Sequence, residues 1–185
     1  MRKLILGKTL LESYKSIPRI IRCIDKLVVE SSAHSYSLTC VRDDTMQKMQ
    51  AVIDLIERKK RLVGIKLAVE EGIKNSPKLD AKILVRYYLD GVNTLVMADE
   101  LGVNRRNVHR KINSATQNFV ETLDSLGYTR ERIKSFIQNE EWIVGIYNHY
   151  VDKFKHKDET LTYLDYPKPS IFSKFAPGVN IHAMR

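Results

Sequence analysis

Cysteine is scarce in this chain, and its pattern argues against two classes of small protein. Only Cys23 and Cys40 occur among the 185 residues. Two cysteines are too few for a disulfide framework, and these two do not have the spacing of paired metal ligands. We therefore predict reduced thiols in a cytoplasmic protein that holds no zinc.

Long apolar runs are also missing. The chain starts MRKLILGKTLLE, in which an apolar run of three residues precedes Gly7. Such a run is too short for the apolar core of a signal peptide or for a membrane span. We expect a protein that stays inside the cell and has no membrane partner.

Signatures of catalysis are absent as well. The chain has no glycine-rich phosphate loop and no Gly-x-Ser-x-Gly segment, and its five histidines are scattered. The acidic pairs Asp43–Asp44 and Glu140–Glu141 are sequence neighbours, so their carboxylates point in different directions on a helix. We predict that the protein is not an enzyme and needs no cofactor. The histidines are His34, His109, His149, His156 and His182.

Positive charge, by contrast, is plentiful. The chain has 31 Lys+Arg against 22 Asp+Glu, a net charge of +9, in a composition typical of a globular protein. This surplus favours a polyanionic partner. Residues 1–60 carry 12 basic and 7 acidic residues, a difference of +5. That segment either contacts phosphates or is a helical unit with a basic solvent face.

The residues after Thr94 are predicted to form a short amphipathic helix that ends at Gly102. Thr94 is expected to cap its start with the side-chain hydroxyl. Gly102 is expected to end it in a left-handed conformation, and Val103 to bury itself in the following corner. The small Ala98 would let a second helix cross closely. The predicted inward face is Leu95, Ala98 and Leu101.

A second helix, about 104–118, is predicted to follow with Asn104 as its cap. Its inward face is Val108, Ile112 and Ala115, spaced by four and then three. Its outward face has no acidic residue, and arginine and asparagine match the edges of guanine and adenine in a major groove. We predict that Thr94 and Asn104, at the helix termini, bind phosphates. Lys111 would neutralise a phosphate. The residues predicted to contact base edges are Arg105, Arg106, Asn107, His109, Arg110 and Asn113.

This arrangement resembles a known DNA-binding module. Residues 84–119, LVRYYLDGVNTLVMADELGVNRRNVHRKINSATQNF, are similar to region four of bacterial sigma factors of the extracytoplasmic-function type, and to the phage and Gram-positive regulators that use the same module. In that pattern a helix with Arg86 and Tyr87 ends at Gly91, and Gly102–Arg105 opens a recognition helix. The chain departs from the pattern at Asn93 and Leu95. The resemblance implies a helix-turn-helix that binds promoter DNA beside RNA polymerase.

The segment before this module is predicted to form two long helices. The first has an apolar row that is interrupted near residues 16–18 by Pro18, and it ends in the polar stretch 31–39. The second begins at Asp43 or Asp44 and closes at residues 75–77. The rows favour a helical hairpin, with apolar surface left for a second subunit or enclosed in one bundle. They are Leu10, Tyr14, Ile17, Ile21, Ile24 and Val28, and Met46, Met49, Ile53, Ile56, Val63 and Leu67.

After the module, the recognition helix is expected to continue to Gly127. Thr129 would then cap one further helix that reaches Phe154. Beyond it, residues 155–185 combine prolines with aromatic residues and are predicted to form an irregular tail. The apolar residues expected on the further helix are Ile133, Phe136, Ile137, Ile143, Ile146, Tyr147 and Tyr150.

The sequence thus predicts an all-α protein in three parts. Residues 1–77 form the helical region that would dimerise, 78–127 the helix-turn-helix domain, and 128–185 the helical extension and tail. The favoured function is a sequence-specific, double-stranded-DNA-binding regulator of transcription. The alternative is an adaptor that contacts RNA polymerase or another regulator without recognising DNA.

Overall fold

A computed structural model of the chain describes residues 2–34 and 42–154, and these ranges are all-α, as predicted. The predicted tail lies outside the described residues. None of the helices within the described ranges has the length and apolar character needed to cross a bilayer. The helices are α1 (Arg2–Tyr14), α2 (Ile17–His34), α3 (Arg42–Asn75), α4 (Lys78–Leu84), α5 (Thr94–Leu101), α6 (Arg105–Ser125), α7 (Arg130–Ile137) and α8 (Glu141–Lys153), with a π-helical turn, Val85–Leu89, continuing α4.

Helix α6 lies at the centre of the core. Its predicted inward face is confirmed, because every member is buried, and two glycines let neighbouring helices cross it closely. A Cβ atom on Gly7 of α1 would lie 2.6 Å from Val120, and one on Gly72 of α3 would lie 2.5 Å from Phe119. The buried residues of this face are Val108, Ile112, Ala115, Phe119, Val120 and Leu123.

The predicted break near residues 16–18 is confirmed. Helix α1 ends at Tyr14 and α2 begins at Ile17, so Pro18 lies in the first turn, where no helical hydrogen bond is lost. Helix α1 is tied to α3 by the Tyr14 hydroxyl, which donates to Glu70 Oε1 at 2.6 Å. Burial and this hydrogen bond raise the pKa of Tyr14 to about 12.

The apolar row predicted on α3 lies mostly on the surface rather than in the packed core. Met46, Met49 and Ile53 are 63%, 56% and 41% exposed, and the row continues on the surface through Ile56 and Leu67. Helix α3 is 34 residues long and carries apolar residues on more than one side, so spacing alone does not decide which side packs. The residues that pack are Ala51, Leu55, Leu62, Ile65, Ala68 and Val69.

The predicted bounds of α3 are confirmed at its C-terminal end only. The helix closes at Asn75, as predicted, and the Ser76 hydroxyl donates to the Gly72 carbonyl at 2.7 Å. At the other end α3 begins at Arg42, so Asp43 and Asp44 lie inside the first turn and the predicted cap is wrong.

The single helix predicted after Gly127 is two helices. Thr129 caps α7 as expected, since its hydroxyl accepts from the Arg132 N–H at 3.4 Å. The chain then breaks at residues 138–140, where the Glu140 side chain is 1% exposed and accepts from Arg58 and from Trp142 Nε1. The break therefore coincides with a contact between distant segments, and no proline or glycine lies at residues 138–140.

Candidate nucleic-acid interface

Helix α5 starts one residue earlier than predicted. Its cap is Asn93, whose Oδ1 accepts from the Leu95 N–H at 3.0 Å, so the predicted cap at Thr94 is wrong. Thr94 is the first helical residue and is only 6% exposed. Its hydroxyl accepts from Arg105 Nε at 3.2 Å. Thr94 therefore lies beneath the surface and positions an arginine of the next helix.

The inward face of α5 also differs from the prediction at one position. Ala98 is buried as expected, and Leu101 is half-buried, but Leu95 is 55% exposed. Met97 is buried in its place. With Thr94 inward, Leu95 lies about 100° further around the helix, which turns it towards solvent.

The turn between α5 and α6 has the predicted geometry. Gly102 has a φ of 61°, which is the left-handed conformation that glycine adopts at little cost. The Val103 N–H donates to the Ala98 carbonyl at 3.0 Å, and the Val103 side chain packs half-buried against the core. Asn104 caps α6, because its Oδ1 accepts from the Asn107 N–H at 2.8 Å.

Burial of one side of α6 turns its cationic side outward. Arg105, Arg106, His109 and Arg110 are exposed, as is the cap Asn104. Asn107, Lys111 and Asn113 are half-buried at the edges of this surface. We call the outward side chains of residues 104–107, 109–111 and 113 the α6 cationic surface.

Two further exposed polar residues extend this surface, and the sequence interpretation missed them. Gln117 follows Arg106, Arg110 and Asn113 at spacings of four, three and four, which place all four residues in one row. Ser114 is exposed beside that row. The helical spacing from Arg110 was a signal for Gln117, but the prediction followed charge and therefore ended at Asn113.

The described residues do not compensate the positive charge of this surface. Within the described ranges, no carboxylate forms an ion pair with Arg105, Arg106, Arg110 or Lys111, and the first acidic residue of α6 is Glu121. Glu100 of α5 is bound instead by Arg86 of the π-helical turn. The surface therefore has a positive charge that no described carboxylate pairs with.

The rear of α6 is held by polar contacts to the preceding segment. Asn118 Nδ2 donates to Asp80 Oδ2 of α4 at 2.7 Å. Tyr88 of the π-helical turn is buried beside α6, and burial raises the pKa of its phenol above the ordinary range. The ring of Tyr88 meets that of Tyr87 edge to face at 4.8 Å. These contacts fix the orientation of the α6 cationic surface relative to α4.

Comparison with known proteins adds no assignment. No protein-family model matches the chain, and no curated protein or solved structure is detectably similar to it.

Proposed function

We propose that this protein is a sequence-specific DNA-binding regulator of transcription. In this proposal α5 and α6 form a helix-turn-helix, and the α6 cationic surface enters the major groove of double-stranded DNA. Such a regulator acts in the cytoplasm of a bacterial or phage-infected cell.

The observation that carries the proposal is the row Arg106, Arg110, Asn113 and Gln117. Its side chains share one solvent-exposed face of α6 that carries no acidic residue before Glu121, and its two arginines have no carboxylate partner among the described residues. Arginine binds the O6 and N7 atoms of guanine, and amide side chains bind the N6 and N7 atoms of adenine. A solvated face without a ligand normally mixes both signs of charge.

The surrounding residues have separate proposed roles. His109 and Asn107 flank the row and complete the contact with base edges, while Lys111 and the cap Asn104 bind phosphates. Arg105 has its Nε bound to Thr94, so we assign it to holding α5 against α6 while the rest of its guanidinium contacts the phosphate backbone. Thr94 then supports DNA binding by holding Arg105 in place, and it does not bind a phosphate itself.

The resemblance of residues 84–119 to sigma region four supports the same proposal. It also favours binding at a promoter element beside RNA polymerase. The chain has no segment that resembles the aromatic-rich promoter-melting region of sigma factors, so we favour an activator or repressor over a complete sigma factor.

A protein-binding adaptor is the second candidate function. Leu95 and Val96 are exposed apolar residues of α5, the helix next to the proposed DNA-binding helix, with exposures of 55% and 48%. In this second proposal they contact another protein. RNA polymerase is the partner that the sigma resemblance favours.

Selection of bound sequences from a random duplex pool separates the two candidates. At about 150 mM salt, non-specific phosphate binding is already weakened, so enrichment reports base recognition. Recovery of one motif by the full chain supports the DNA-binding regulator. Recovery of no motif, with retained binding to RNA polymerase that a Leu95→Asp change abolishes, would favour the adaptor.

We also propose that the exposed row on α3 joins two copies of the chain. Met46, Met49, Ile53 and Ile56 are spaced by three, four and three, which is the spacing of a seam between two helices. A two-fold dimer would match an inverted-repeat operator. Sedimentation of the full chain tests this: Ile53→Lys should convert a dimer to a monomer, and Leu126→Lys, at another exposed apolar residue, should not. A monomeric wild type at high micromolar concentration would contradict the proposal.

A further inference from the structure

A second cationic surface lies on α2, outside the helix-turn-helix. Arg19, Arg22 and Lys26 of α2 are exposed at spacings of three and four, which place them in one row, and Lys15 is exposed in the turn just before α2. At 1.5 Å per residue the helical part of the row is about 10 Å long. We call these four residues the α2 cationic row.

Among the residues that the structure describes, the charge of this row is not neutralised. In the part of the chain that the structure describes, no carboxylate pairs with any of the four side chains. Two neighbouring acidic residues are engaged elsewhere: Asp25 binds Lys59 of α3 at 2.5 Å, and Glu12 accepts from the Tyr150 hydroxyl. Glu30, exposed one turn beyond Lys26, ends the run of positive charge. A face that only served solubility would mix signs along its length.

The α2 cationic row begins close to the proposed DNA-binding helices. Lys15 lies beside Gly91, since its Nζ is 3.3 Å from the position that a Cβ atom on Gly91 would occupy. The chain from Gly91 to Thr94 spans at most about 11 Å. Thr94 in turn binds Arg105 of α6. The start of the row is therefore linked to the α6 cationic surface by a short series of contacts and chain segments.

We propose that the α2 cationic row binds the phosphates of duplex DNA that flanks the sequence recognised by α6. This inference rests on the proposed DNA-binding function and extends it. Lysine and arginine neutralise phosphates without reading bases, so the row adds affinity and salt dependence but no sequence preference. Full affinity consequently requires a duplex longer than the one that α6 covers.

Two matched variants of the full chain test the proposal. The first replaces the helical part of the row: Arg19→Gln, Arg22→Gln and Lys26→Gln. The control removes three exposed lysines of other segments and the same charge: Lys60→Gln, Lys74→Gln and Lys153→Gln. Each is titrated at several salt concentrations with the selected motif alone and with the motif flanked by one helical turn of unrelated sequence on each side.

We expect the α2 variant to differ from the wild type on the flanked duplex only. Loss of three phosphate contacts should make the slope of log affinity against log salt shallower by about 2.7. Between 50 and 200 mM salt, the affinity of this variant should therefore fall about 40-fold less than that of the wild type. The control variant should keep the wild-type slope. Both variants should keep the wild-type ratio of affinity between the motif and a scrambled motif.

The outcomes separate this inference from the proposed function. If the wild type selects a motif and the α2 variant has the slope of the control on the flanked duplex, the α2 inference is overturned while the proposed function stands. If the wild type selects no motif but its affinity for any duplex still depends on the row, base recognition fails and the phosphate surface is supported.

Cys23 provides an independent readout, because it is exposed and follows Arg22 directly. In a Cys40→Ser background, its alkylation rate should fall several-fold when the flanked duplex is bound. The short duplex should leave that rate unchanged. Equal rates with and without the flanked duplex, under saturating conditions, would contradict the proposed location of the flanking DNA.

Discussion

Arg58 of α3 and Glu140, which lies between α7 and α8, form a two-pronged ion pair that joins segments 82 residues apart. Arg58 Nε and Nη2 lie 2.9 Å and 2.8 Å from the two carboxylate oxygens. The Glu140 side chain is 1% exposed, whereas that of Arg58 is 37% exposed. Removal of Arg58 therefore leaves a buried charge without its partner, whereas removal of Glu140 leaves a charge that water can reach.

Removal of the arginine should be more destabilising than neutralisation of the glutamate. Arg58→Ala leaves a buried carboxylate without its cation, which costs about 3 kcal/mol. Glu140→Gln keeps a polar side chain beside Trp142 and leaves Arg58 partly hydrated, so it should cost about 1 kcal/mol. Urea unfolding measures both. Lys66→Ala, which breaks the more exposed pair with Glu70, is the control and should change stability by less than about 0.5 kcal/mol. Equal losses for Arg58→Ala and Glu140→Gln would contradict this asymmetry.

A methyl group at Gly72 should destabilise the protein through α6. The new Cβ would lie 2.5 Å from Phe119 Cε2 and 2.8 Å from Leu123 Cδ2. Displacement of these buried side chains should cost about 1–3 kcal/mol in the free energy of unfolding. Gly145→Ala is the matched control, since nothing lies within 4 Å of its Cβ position, and it should stabilise α8 by about 0.5–1 kcal/mol. A stabilising effect at both glycines would show that α3 and α6 do not cross at Gly72.

Arg106 should contribute to specificity and Lys111 to affinity alone. If Arg106 binds a guanine, Arg106→Ala should cost about 1–3 kcal/mol on the selected motif and relax the preference at one position. Lys111→Ala should weaken all duplexes alike and reduce the salt slope by about one. Fluorescence titration with selected and scrambled duplexes distinguishes the two patterns. An equal loss on both duplexes for Arg106→Ala would remove its base-reading role.

Asn104 combines a structural role with a proposed phosphate contact, and one substitution separates them. Aspartate caps a helix as well as asparagine does, so Asn104→Asp should keep the melting temperature of the wild type. Its negative charge at the proposed phosphate contact should nevertheless weaken DNA binding, more strongly at low salt. Thr129→Asp, the same kind of change at the α7 cap, should leave DNA binding intact. A normal affinity for Asn104→Asp would exclude a phosphate beside this cap.

The sequence predicted α6 well because its local signals agree with one another. Val108, Ile112 and Ala115 have one helical spacing, and the charged residues all lie opposite. Gly102 and Asn104 are residue types whose roles depend on their own backbone conformation and on groups a few residues away. The turn and the composition of the α6 cationic surface could therefore be predicted without knowledge of the rest of the fold.

The errors arose where distant packing decides the outcome. Helix α3 offers two apolar sides, and contact with other helices selected Leu55 and Leu62 over Met49 and Ile53. The break before α8 coincides with a contact to Arg58, which is far away in the sequence. At Thr94, burial against α6 and the contact with Arg105 moved the cap to Asn93. No local periodicity encodes these long-range choices.

The position of α6 at both the centre and the surface has a mechanical consequence. Phe119, deep in the core, and Arg106, in the proposed DNA-binding row, belong to one unbroken helix and are separated by about 20 Å at 1.5 Å per residue. A tilt of about 5° at Phe119 would displace Arg106 by nearly 2 Å, a large fraction of the 2.7–3.2 Å length of a hydrogen bond. Small shifts of α1 or α3 against α6 therefore move the cationic end of the helix by distances comparable to the length of a hydrogen bond.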